Sequence, residues 1–92
     1  MNAPDYLRAG IAAMESRGTE RDAPGGERSM ARAVTAFNAI YGARMTEEQG
    51  WMFMAVLKAA RSAYGTRVRD DYIDGAAYFS LAGEAADRKD AP

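Results

Sequence analysis

The sequence predicts an all-α fold: one domain of four helices in which the third and fourth form a central antiparallel hairpin. Three observations carry this reading. Apolar residues recur near a 3.6-residue period in four separate segments, and no stretch shows strand-like alternation. Alanine, the best helix former, takes about one position in five. A chain of 92 residues leaves room for one domain, spanning 1–92, with no internal repeat.

The first helix is expected from about Pro4 to Glu15. Proline suits a first helical turn, with Asn2 or Ala3 as the cap before it. Leu7, Ile11 and Met14 follow i, i+4, i+7 with Tyr6 beside them, which reads as one apolar stripe. Residues 16–27 then read as a long loop, charged, glycine-containing and without periodicity. Loops of that length in small helical domains are often functional.

The second helix is expected from Ser29 to Tyr41, with Met30, Val34, Phe37 and Tyr41 on its apolar side and Ile40 alongside. Arg32 and Asn38 fall elsewhere on the wheel, and Gly42 supplies a left-handed C-cap. The third helix opens with Thr46-Glu47-Glu48-Gln49. This is a capping box in which the threonine hydroxyl accepts from the Gln49 N–H and the Gln49 side chain returns the bond. Glu47 and Glu48 suit the positive end of the helix dipole. The run Trp51–Leu57 is apolar at all seven positions, so the helix is expected to be central or to lie in an interface, and a homodimer is expected from it. The helix should end near Tyr64-Gly65. The fourth is expected from Asp70, as N-cap, to about Ala86, with residues 87–92 as a frayed tail. Gly75 and Gly83 lie on roughly one side of it with Phe79 between them. Interior glycines cost about 1 kcal/mol each, so a close helix–helix approach is expected there.

Composition excludes several function classes. Cys and His are both absent, which removes thiolate chemistry, disulfides, zinc sites and Ser–His or Cys–His catalysis. Any metal would be a hard cation on carboxylates, Mg²⁺ first among them. A net charge of −1 and a pI near 5.3 argue against a dedicated nucleic-acid binder. No apolar stretch approaches the length of a membrane span, and the first turns lack a signal-peptide core, so a cytoplasmic setting is expected.

The chemistry-bearing residues cluster around the junction of the third and fourth helices. Lys58 and Arg61 share one helix side at i, i+3, and Asp71 and Asp74 share another. A short turn folds the two sets toward each other. The arrangement is either a salt-bridge clasp, which helix dipoles alone would favour, or a site for a phosphate or a carboxylate-held Mg²⁺ on Asp71 and Asp74. Glu27, in the loop segment Gly25-Gly26-Glu27-Arg28-Ser29, would be a third carboxylate if the loop closes over that site.

The succession Gly26-Glu27-Arg28-Ser29-Met30, Ala36-Phe37-Asn38, Thr46 to Trp51, Leu57 to Arg61 and Asp70 to Tyr78 resembles a group of small phage and prophage proteins classed only as a domain of unknown function. The resemblance covers about residues 12–86 and brings no catalytic residues with it. More distantly, a Lys/Arg helix followed by an Asp-x-x-Asp helix is similar to nucleotide-modification-associated domains. It is also similar to the all-α nucleoside triphosphate pyrophosphohydrolases of the MazG type, which hold Mg²⁺ between two acidic helices. Asp71-x-x-Asp74 matches the second acidic element. The first, Glu-x-x-Glu, is missing, because Glu47 and Glu48 are adjacent.

The resemblance implies a phage accessory protein that binds a nucleotide or phosphorylated small molecule without catalysis. Asp71 and Asp74 would hold Mg²⁺ or a ribose, Lys58 and Arg61 the phosphates, and Glu27 would close the site. Two alternatives stand beside it: a protein-interaction module that inhibits a host defence complex, and a Mg²⁺-dependent nucleotide pyrophosphohydrolase.

Overall fold

A computed structural model describes residues 1–21 and 29–90 of the chain, with side chains over 1–17 and 29–88. Four helices are present among the described residues and no strand: α1 (Ala3–Arg21), α2 (Ser29–Tyr41), α3 (Glu47–Ser62) and α4 (Arg69–Asp90). α3 and α4 form the central antiparallel pair. α1 packs on α4 and α2 packs on α3.

The helix ends follow local side-chain chemistry. Asn2 is the cap of α1: its Oδ1 accepts from the Asp5 N–H at 2.9 Å, and Asp5 Oδ2 accepts from the Asn2 N–H at 2.9 Å. At α3 the expected capping box is formed, with Thr46 Oγ1 accepting from the Gln49 N–H at 3.1 Å and Gln49 Oε1 accepting from the Thr46 N–H at 3.0 Å. Gly42 after α2 has φ 63°, and Gly65 in the α3–α4 turn has φ 71°, values that side-chain-bearing residues rarely adopt. Asn38 closes the α2–α3 corner. Its amide donates to the Met45 carbonyl and its Oδ1 accepts from the Met45 N–H, both at 2.9 Å.

The core is thin. Trp51, Ala82 and Ala85 are buried together, with Met30, Tyr78 and Leu81 packed against them. Val34 and Ala77 complete the buried apolar set among the described residues. Two glycines set the joints. A Cβ on Gly50 would lie 2.5 Å from Met30 Sδ and 3.0 Å from Val34 Cγ2, so α2 is seated directly on the α3 backbone. Gly10 lies 3.5 Å, by the same measure, from the Ile73 carbonyl, which brings α1 onto α4.

Several expectations need correction. α1 continues past Glu15 to Arg21, so residues 16–21 are helical and not loop; Ser16, Arg17 and Glu20 impose no break, and Arg17 is anchored to α4. The remainder of that loop, Glu27 included, lies outside the described residues. α4 starts at Arg69, which places Asp70 in its first turn and not at the cap. It runs on to Asp90, with Arg88 tied to Glu84 and Glu47, so residues 87–90 are not frayed; Ala91 and Pro92 lie outside the described residues.

The stripe expected on α1 is also rotated. Tyr6, Gly10, Ala13 and Arg17 turn inward, while Leu7 and Ile11 stay at least half exposed, because the packed side is centred on the glycine that permits close approach. On α2, Ile40 and Tyr41 are exposed. The Trp51–Leu57 run is two-sided: Trp51 is buried, whereas Phe53 and Val56 face outward. Gly75 does sit against α3, 3.6 Å from Lys58 Cβ for an added Cβ. Gly83 has nothing within 4 Å.

Candidate functional site

The α3–α4 turn does bring a cation and a carboxylate together. Lys58 Nζ lies 3.0 Å from Asp74 Oδ2, with side chains only 14% and 15% exposed. A third residue joins them: Arg17, near the end of α1, donates from Nη2 to Asp74 Oδ1 at 2.9 Å. Both carboxylate oxygens are thus engaged by cations. Burial pushes the Asp74 carboxyl up, but the hydrogen bonds from Lys58 and Arg17, together with their charges, outweigh it and hold the pKa below the ordinary aspartate value.

The other expected members stand apart. Arg61 is exposed, and Asp71 is half-buried with its backbone N–H bonded to the Val68 carbonyl at 3.2 Å. Neither forms an ion pair with a described residue. An i, i+3 step rotates about 60° around a helix, enough to carry Arg61 off the side on which Lys58 meets α4. No group of three or more acidic residues among the described residues is placed to hold a metal ion. With its two oxygens occupied, Asp74 would have to release a cation before it could ligate Mg²⁺.

Beside the ion cluster all four helices converge on an open cleft of about 320 Å³. Arg17 comes from α1, Ser29 and Met30 from α2, Trp51 and Met54 from α3, and Tyr78 from α4. The Trp51 and Tyr78 rings stack at 5.7 Å with planes 21° apart. The Arg17 guanidinium lies over the other part of this aromatic pair, 5.7 Å from the Tyr78 ring centroid. The cleft therefore joins an aromatic and thioether lining to a cation already partnered by a carboxylate. A planar, partly apolar group fits the lining, and an anion could exchange for Asp74 at Arg17.

Sequence reasoning missed Arg17 and Tyr78 as members of this site. Arg17 lies seven residues after Gly10, two helical turns on the same side, but that signal is readable only if α1 is known to extend beyond Glu15.

The fold and the cleft define a small all-α protein built on an ion-tied helical hairpin. The chain belongs to the family described as a domain of unknown function, DUF6378, whose model matches residues 12–86. No curated protein and no solved structure matches it. No described helix is long and apolar enough to cross a membrane.

Proposed function

We propose that this chain binds a nucleotide or a phosphorylated small molecule in the four-helix cleft, without turning it over, as an accessory protein of a phage in the host cytoplasm. The observation that supports the reading is the position of Arg17, at once over the Tyr78 ring and against Asp74 at the cleft edge. A ligand phosphate would take the place of Asp74 as counter-anion of Arg17, with Lys58 on the other oxygen of the same carboxylate. The base or other flat moiety would lie against Met30, Met54 and the Trp51–Tyr78 pair. Mg²⁺ would arrive on the phosphates of the ligand, leaving Asp74 to Lys58.

Isothermal titration with a panel of deoxynucleoside mono- and triphosphates, with and without Mg²⁺, tests this. We expect saturable heat with at least one of them, weakened about tenfold or more in Arg17→Gln. Absence of heat across the panel, or full retention in Arg17→Gln, overturns the reading.

A second reading is supported by a different surface. Ile40 and Tyr41 of α2 are 74% and 72% exposed, and Phe53 and Val56 of α3 are 62% and 57% exposed. Apolar exposure of this kind is what a protein-interaction module for a host defence protein would present. A defined host complex that co-purifies with the chain and is lost in Phe53→Glu would favour it over the ligand reading; recovery of the chain alone would remove it.

A further inference from the structure

The side of α4 opposite Asp74, Tyr78 and Ala85 carries a pattern that neither the cleft nor the α2–α3 surface uses. Tyr72, Ala76, Phe79 and Gly83 recur there at i, i+4, i+7 and i+11, with Tyr72 edge-on to Tyr6 of α1 and Ala76 beside α1. Phe79 is 62% exposed. It is flanked one turn before by Gly75 and Ala76 and one turn after by Gly83, so a large side chain projects between the smallest ones. Gly83 sits in a helix interior, where glycine is unfavourable, and nothing within 4 Å of its missing Cβ accounts for it. Next to Phe79 runs an apolar groove of about 220 Å³ between α1 and α4, walled by Leu7, Ile11 and Met14 and floored by Ala76 and Ser80. A ring that stands near a two-fold axis meets its own copy across that axis, so this surface is complementary to itself under a two-fold rotation.

The charges at the ends of this side obey the same symmetry. Arg69 and Asp87 are exposed, and neither is paired with a described residue. They stand eighteen residues apart, which at 3.6 residues per turn is five full turns, so both lie on one edge of the α4 face. They also lie ten residues before and eight residues after Phe79. Two α4 helices laid antiparallel about an axis near Phe79 therefore bring Arg69 of each copy beside Asp87 of the other.

We propose that the occupant of this face is a second copy of the chain, in an antiparallel two-fold dimer. Phe79 of each protomer packs on Phe79 of the other across the two-fold axis, the glycine at 83 lets the backbones approach, and Arg69–Asp87 pairs close both ends. The interface lies on α4 and α1 and is distinct from the Trp51–Leu57 run. It stands independently of the ligand reading, because Arg17, Lys58 and the cleft are not part of it.

Light scattering and sedimentation equilibrium on the full chain test the proposal. We expect twice the protomer mass of 10.0 kDa, reduced to the protomer mass in Phe79→Glu with helicity unchanged, and no change of mass in Phe53→Glu. Arg69→Glu should weaken the dimer about tenfold or more, and Arg69→Glu combined with Asp87→Arg should restore it. A chain that stays monomeric at its highest soluble concentration overturns the proposal. So does a dimer that is indifferent to Phe79→Glu or lost in Phe53→Glu, or a double reversal that fails to restore association.

Discussion

At the turn end of the α3–α4 hairpin, Lys58 meets Asp74 at 3.0 Å between side chains that are almost wholly sheltered. At the open end, Arg88 reaches Glu47 at 2.9 Å and also Glu84, with side chains 41%, 24% and 53% exposed. The distances are alike and the energetics are not. An exposed pair gains little over solvation by water and is screened by salt. A sheltered carboxylate has given up its water and depends on the cations that replaced it, so removal of one member leaves an uncompensated charge. The open end must therefore be held by something other than its ions, and that is the packing of Trp51 on Ala82 and Ala85, the buried alanines of α4. One hairpin thus uses charge at one end and aromatic packing at the other.

The largest test of this contrast is Trp51→Ala. Deleting the one large buried ring should cost about 3–5 kcal/mol, a substantial part of the stability of a domain this size, and thermal denaturation followed by circular dichroism should show the chain unfolded or melting far lower. A fall of only a few degrees would mean that the open end does not rest on packing.

Asp74→Asn should come next, at about 2–3 kcal/mol, since it strands Lys58 and Arg17 beside a neutral group. Its pH dependence has a definite sign. The folded-state pKa of Asp74 lies below its unfolded value, so the stabilisation is fully present above the unfolded value and is lost as pH falls through the folded one. Urea melts should show the largest gap between wild type and variant at neutral pH, narrowing below about pH 4. A gap that widens on acidification would contradict the arrangement.

The smallest effect belongs to Glu47→Gln at the open end, below about 0.5 kcal/mol and vanishing in high salt. A loss comparable to that of Asp74→Asn would erase the distinction between the two ends.

How much of this was legible in the sequence depended on range. The Thr46–Gln49 box, the Gly42 cap and the limits of α2 are written in residues a few positions apart, and they are formed as read. The Lys58–Asp74 contact was legible because a short turn leaves two helices little choice but to lie antiparallel. Arg17 was not, because its partner is 57 residues away and the register of α1 on α4 is set by Gly10 meeting Ile73, a fit that no periodicity encodes. Arg61 and Asp71 had the right spacing but the wrong rotation about their helices. Leu7 and Ile11 were apolar at helical spacing, and the packed side still fell elsewhere, since a glycine admits a neighbouring helix more closely than a leucine does.

The corner between α2 and α3 has a consequence for the cleft. Asn38 holds the Met45 backbone by both its N–H and its carbonyl, as a rung of a β-ladder would, and this fixes the angle at which α2 leaves α3. Met30, which walls the cleft, lies eight residues up α2 from that corner, about 12 Å along the helix. α2 is in this sense a lever with its fulcrum at a single asparagine. A change of about 10° in that angle would displace Met30 by about 2 Å, so its seat on Gly50, and with it the width of the cleft, is tied to a side chain that never touches the cleft.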